Sequence, residues 1–196
     1  MMRRLFGLTV ALLLAGCVPN TVRQGDAAVF GFGDPGGGWA APTLRGVDVA
    51  APSWLGTAAM QYRLDYSDAA RRHAYADSRW AAPPPELLEQ ALRRRALAAA
   101  GSGERSGCRL RVDLDEFVQA FDAAQSSRVV LAVRATLLSR GEQPLASRAF
   151  ALERPAASAD ARGGVAAAAV AVQGLASDLA GWIAAEKSAL ATRCQE

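Results

Sequence analysis

The sequence predicts an α+β domain, an antiparallel or mixed β-sheet carrying two main helices on one face. Three observations lead there. Strict alternation of apolar residues recurs at Met60-Tyr62-Leu64-Tyr66, Leu110-Val112-Leu114 and Val129-Leu131-Val133, the period of a half-buried strand. Two other segments space apolar residues by three and four: Leu87, Leu88, Leu92 and Leu97, then Val165, Val172, Leu175, Leu179, Trp182 and Ile183. That is the period of a helix burying one stripe. The strands come in runs, each followed by one helix, which is the order of α+β rather than alternating α/β domains.

Taken in order, Val47 and Val49 before Pro52 predict a short first strand. Residues 59–66 predict a second, and residues 72–80 its hairpin partner across a turn at Ser67-Asp68. Pro83-Pro84-Pro85 stops the sheet and leads into a helix over 86–100, with Glu86 in its first turn and Gly101 as its stop. Residues 101–107 read as a loop. The alternation of 109–115 then changes parity at Phe117 and Phe121, which predicts a β-bulge near Asp115 or Glu116. Two more strands follow around 129–137 and 145–152, joined at Gly141-Glu142. Pro155 ends the sheet, and Ser158 is the expected N-cap of the last helix, with Asp160 in its first turn. Gly163, Gly164, Gly174 and Gly181 weaken that helix by about 1 kcal/mol each relative to alanine if all are interior.

The amino end has a different character. Arg3 and Arg4 precede an apolar run from Leu5 to Ala15, too short to span a bilayer, which takes about 20 residues, and shaped like a secretory h-region. It ends in Leu14-Ala15-Gly16-Cys17, the lipobox pattern of bacterial lipoproteins. Residues 1–16 therefore read as a signal peptide, with Cys17 as the lipidated first residue of the mature chain. That covalent lipid is the one prosthetic group expected. Several acyl chains hold a protein stably at a bilayer where one does not. Val18 stands where an aspartate favours inner-membrane retention, so the expected location is the outer membrane, with the domain facing the periplasm. Residues 17–45 carry Pro19, Pro35, Pro42 and a glycine cluster and read as a flexible tether, leaving 46–196 as the domain. Within the tether, Gly31-Phe32-Gly33-Asp34-Pro35-Gly36 matches G-x-G-x-x-G, but Pro35 and further glycines follow where the dinucleotide fingerprint needs a helix.

Composition narrows the chemistry. The formal net charge is +3, and removing Arg3 and Arg4 leaves the chain near neutral, so no nucleic-acid partner is expected. A single histidine, His73, excludes a His-rich metal centre, and it lies in a strand with no nucleophile motif nearby. Asp113 and Asp115 sit two apart on a strand, about 7 Å between Cα atoms, a spacing compatible with paired catalytic carboxylates. Arg128 or Arg134 across the sheet accounts for them more simply, as ion pairs on a solvated face. Once Cys17 is lipidated, Cys108 and Cys194 are the remaining thiols. They either pair in an oxidising compartment or stay free. Tyr75, Arg79 and Trp80 form an aromatic–arginine group, read equally as a partner-binding surface or as packing at a corner.

The order Tyr62-Arg63, then Tyr75 with Arg79-Trp80-Ala81-Ala82-Pro83, Leu114-Asp115-Glu116-Phe117, Arg134-Ala135-Thr136-Leu137-Leu138, and Phe150 with Pro155-Ala156 before a helix ending near Trp182 resembles the PqiC-like ABC-type transport auxiliary lipoproteins. The resemblance implies a periplasmic domain similar to the N-terminal domain of TolB, without enzymatic activity. It implies a place beside an ABC permease and an MCE-domain protein in lipid transport and envelope integrity, with the outer-membrane bilayer as a further partner and a homo-oligomer as a possible assembly. The alternative expectation is a periplasmic carrier that itself binds lipid.

Overall fold

The computed structural model describes residues 27–33, 44–98 and 107–194. The strands are β1 (Ala28–Phe30), β2 (Leu44–Ala50), β3 (Ala59–Leu64), β4 (Asp68–Trp80), β5 (Cys108–Ala123), β6 (Ser126–Leu138) and β7 (Pro144–Pro155). The helices are α1 (Pro84–Ala98) and α2 (Ala161–Arg193), and a short 3-10 turn (Ser53–Leu55) joins β2 to β3. The seven strands form one mixed sheet in the order β1-β4-β3-β5-β6-β7, with β2 also paired to β5. Both β2 and β3 run parallel to β5, β2 beside Cys108–Asp113 and β3 beside Gln119–Phe121, so the two lie end to end along one side of that strand. The expected α+β class is the observed one.

The parity change at Phe117 has its predicted cause. The β5–β6 register shifts between Leu114 and Glu116, which returns Phe117, Gln119 and Phe121 to the face of Leu110, Val112 and Leu114. That face takes both helices. Leu88 and Leu92 of α1, with Val172, Leu175, Leu179, Trp182 and Ile183 of α2, join Leu110, Val112, Leu131, Val133 and Leu137 in one buried cluster. The stretch Ala161–Glu186 is long and apolar enough to cross a membrane, yet Val172, Leu175, Leu179, Trp182 and Ile183 are spent in this core. The other face is open, as one side of an antiparallel sheet commonly is.

Two expectations are corrected here. The tether expected over 17–45 is ordered where it is described: β1 pairs in parallel with the outer edge of β4, Val29 opposite Arg79 and Phe30 opposite Trp80. Beyond it, Gly33 turns at φ 69°. Phe32 enters the core at 5% exposure, 5.2 Å from the Trp80 ring and 5.4 Å from that of Phe117. The rest of that tether, residues 17–26 with Cys17 and residues 34–43, lies outside the described residues, as does the leader.

The second correction concerns the start of α2. The cap is Asp160 rather than Ser158: its carboxylate accepts the Gly163 N–H at 2.8 Å, and Ser158 donates its hydroxyl to the same oxygen. The glycines behind it are required by close approach, not merely tolerated. A Cβ on Gly163 would strike the Ser158 backbone, and one on Gly164 would strike the Gln119 amide. The Gly163 N–H holds the Asp160 carboxyl below its ordinary range, as Arg134 does for Asp115 and Arg109 for Glu142. For carboxyls lowered in the folded state, the stabilisation is complete above about pH 4 and is lost as pH falls through the lowered values. Thermal melts between pH 7 and 2 are therefore expected to show a falling Tm only on the acid side of 4. Asp160→Ala removes a few degrees at neutral pH and flattens that acid slope. A variant as acid-sensitive as the parent would refute this role for the cap.

Candidate functional site

The open face of the sheet is a lattice of ion pairs. Arg63 and Arg72 lie directly opposite each other on β3 and β4, a repulsive pairing that Glu116 relieves by accepting from both, at 3.2 and 2.6 Å. Arg128 on β6 reaches Asp65, Asp122 and Glu153. Val118 and Ala120, on the same strand as Glu116, are buried. Further along, Glu142, at a positive φ of 63° in the β6–β7 turn, binds Arg45 and Arg109 together.

The two aspartates weighed for catalysis belong to this lattice. Asp115 accepts two hydrogen bonds from Arg134, at 2.9 and 2.8 Å, and Asp113 pairs with Arg111 at 3.0 Å. His73 stacks on Tyr62, ring centres 5.1 Å apart, among aromatic groups and away from any nucleophile–base pair. Among the described residues no group of His, Cys, Asp and Glu could hold a metal ion.

The sequence grouped Tyr75, Arg79 and Trp80; the structure separates them. Trp80 is 4% exposed and packs between Phe32 and Phe117, so it serves the core and not a docking surface. Arg79, adjacent in a strand, points the other way into solvent. Tyr75 is half-buried and donates its hydroxyl to Gln119 Oε1 at 3.0 Å. Burial first, then the nearby Tyr62, Asp160 and Asp77, pushes its pKa up to about 12. Gln119 itself is the one polar residue on an apolar run, and sequence parity past the bulge points to it. Its amide nitrogen donates to Ser127 and to the Asp160 carbonyl, at 2.9 and 3.1 Å, so β4, β5, β6 and the start of α2 meet at one satisfied amide.

Cys108 and Cys194 are joined as a disulfide, Cα atoms 4.7 Å apart, tying the start of β5 to the end of α2. What remains open for recognition is concave surface. A groove of about 660 Å³ runs between β2 and α1, floored by Val49, Ala51 and Pro85 and walled by Glu89 and Arg93. Glu89 accepts the Val49 N–H and Arg93 donates to the Val47 carbonyl, so side chains blunt the free edge of β2. A second cleft of about 420 Å³ lies under the exposed Trp54, beside Asp113, Asp115 and Arg134. A third of about 430 Å³ sits on the β1–β4 edge beside Tyr75, Ser78 and Arg79.

A model described as the ABC-type transport auxiliary lipoprotein component matches residues 35–180. The chain belongs to that family. Among solved structures, this auxiliary lipoprotein is similar to a protein from Xanthomonas campestris, with a TM-score of 0.62 at 22% identity over 72% of this chain and 85% of the other. An uncharacterized protein matches with the same TM-score at 19% identity, over 80% and 98%. At those identities the two likenesses establish the fold. No curated protein matches the sequence. The family's description is that of an auxiliary transport component.

Proposed function

We propose that this auxiliary lipoprotein is fastened to the outer membrane by lipid on Cys17. From there it serves, without catalysis, as a docking subunit for the MCE-domain protein of an ABC-type lipid transport system that maintains the envelope. The observation that carries the reading is the family match over 35–180 on a chain that carries Leu14-Ala15-Gly16-Cys17 ahead of it. The ABC transporter association comes with the family; the MCE partner, the outer membrane and any self-association are the reading's own.

The carrier alternative meets a physical objection. The space between the sheet and α2, near Met60, Phe117, Gln119 and Ala168, amounts to about 10 Å³, room for one water at most. An acyl chain would have to lie in an open groove instead.

A clickable fatty acid is expected to label the wild-type protein and to leave Cys17→Ser unlabelled. Wild type should fractionate with outer-membrane vesicles and capture an MCE-domain protein after cross-linking. Equal labelling of both proteins rejects the anchor, and phospholipid bound to the isolated soluble domain in native mass spectrometry would favour the carrier.

A further inference from the structure

The ordering of β1 changes the distance at which the domain can stand from its anchor. If Cys17 is the membrane attachment, which rests on the reading above, a tether running to residue 45 gives a root-mean-square reach of roughly 30 Å. With β1 docked, only residues 18–26 separate Cys17 from Ala27. A chain of that length has a reach of about 17 Å and spans at most about 34 Å when fully stretched.

Direction adds to distance. Because β1 pairs in parallel with the last residues of β4, Ala28 opposite Ser78 and Phe30 opposite Trp80, the chain joins the sheet at its β4 edge. From β1 to β7 the sheet order contains five strand-to-strand steps, about 24 Å at the usual spacing. Setting the β7 edge on the bilayer would therefore stretch the tether well past its relaxed reach. Setting the β4 edge there costs no such extension.

The residues on that edge suit a headgroup surface. Tyr66 in the turn and Val29 on β1 are among the large side chains more than half exposed. Ala69, Ala70, Arg71 and Arg79 are exposed beside them, and neither arginine has an ion-pair partner among the described residues. Guanidinium groups bind phosphate oxygens by charge-assisted hydrogen bonds, and a tyrosine ring suits the boundary between water and acyl chain.

We propose that the domain stands edge-on at the membrane, with the β1–β4 edge against lipid headgroups and the β7 edge turned away, five strand steps off.

The test uses the full-length lipidated protein in vesicles of phosphatidylethanolamine and phosphatidylglycerol containing a headgroup-level nitroxide lipid. Single cysteines at exposed positions carry an environment-sensitive fluorophore: Ala70→Cys and Arg79→Cys on β4, and Ala149→Cys on β7. Quenching is expected to be several-fold stronger at 70 and 79 than at 149. Equal quenching, a reversed order, or none at any position overturns the orientation while leaving the anchor intact. Mass measurement of the same samples separates the two readings, because an unacylated Cys17 overturns the anchor and the orientation together.

Discussion

Replacing Phe32 by alanine is expected to destabilise the domain by about 3–4 kcal/mol, the cost of emptying a buried aromatic site, and to lower Tm on the order of 10 °C. The ring is 5% exposed and meets Trp80 and Phe117 edge-on, an arrangement that adds to area burial. Its removal leaves a hole against two rigid aromatic rings, which cannot collapse into it as a flexible methionine would. The loss does not stop at one side chain. β1 pairs with β4 over three residues and is sealed by the Ala81 N–H donating to the Phe30 carbonyl at 2.7 Å. So short a strand repays the entropy of ordering its backbone only while Phe32 stays seated. Phe32→Leu should recover most of the stability, and removing residues 18–33 should cost as much as Phe32→Ala or more. Chemical denaturation of the mature domain measures all three. A silent Phe32→Ala would mean that this stretch is the plain tether its composition suggests.

That contrast marks where the sequence can be read and where it cannot. Strands long enough to show several alternations were legible, and so was the bulge in β5, because Phe117 and Phe121 fall on the wrong parity unless a residue is inserted. The helix stripes were legible for the same reason, with Leu175 and Leu179 fully buried where the spacing puts them. β1 was not. Three residues give no period, and glycines on both sides of Phe32 carry the usual mark of a linker. Its only trace is the Phe30–Phe32 pair in an otherwise small-residue segment.

The candidate surface shows a subtler loss. Adjacent residues in a strand face opposite ways, so Arg79 and Trp80 were never able to share a docking face, and alternation alone separates them. What alternation leaves open is which of the two faces carries the helices. Packing decides it, since Phe32 and Phe117 close over Trp80. Likewise Gly163 and Gly164 look like flaws in a helix until Ser158 and Gln119 are brought against them by the fold. The pairings of Asp115 with Arg134 and of Glu116 with two arginines need the register, which composition does not contain.

Breaking the Cys108–Cys194 bond is expected to cost about 2–4 kcal/mol, somewhat under the roughly 4.5 kcal/mol that chain entropy alone assigns to a loop of this size. The two cysteines are 86 residues apart in sequence and both are buried, at 1% and 2% exposure. The bond gains leverage from where it sits. Cys108 opens β5, the strand that β2, β3 and β6 all pair with, and it stands opposite Leu44 at the start of β2. Cys194 follows the last turn of α2, where Gly107 approaches so closely that a Cβ would meet the Cys194 carbonyl. Without the bond the end of α2 loses its covalent tie to β5, and helix ends are where opening begins. A Cys108→Ala/Cys194→Ala protein should therefore melt lower under oxidising conditions and exchange amide hydrogens faster in the final turns of α2, with little change near Leu175. Reductant should bring wild type down to the level of the double variant and leave the variant unmoved, slowly, because the sulfurs are shielded until the helix end opens. Tryptic peptides alkylated separately without prior reduction, or a double variant as stable as wild type, would show that the bond contributes nothing to the native protein.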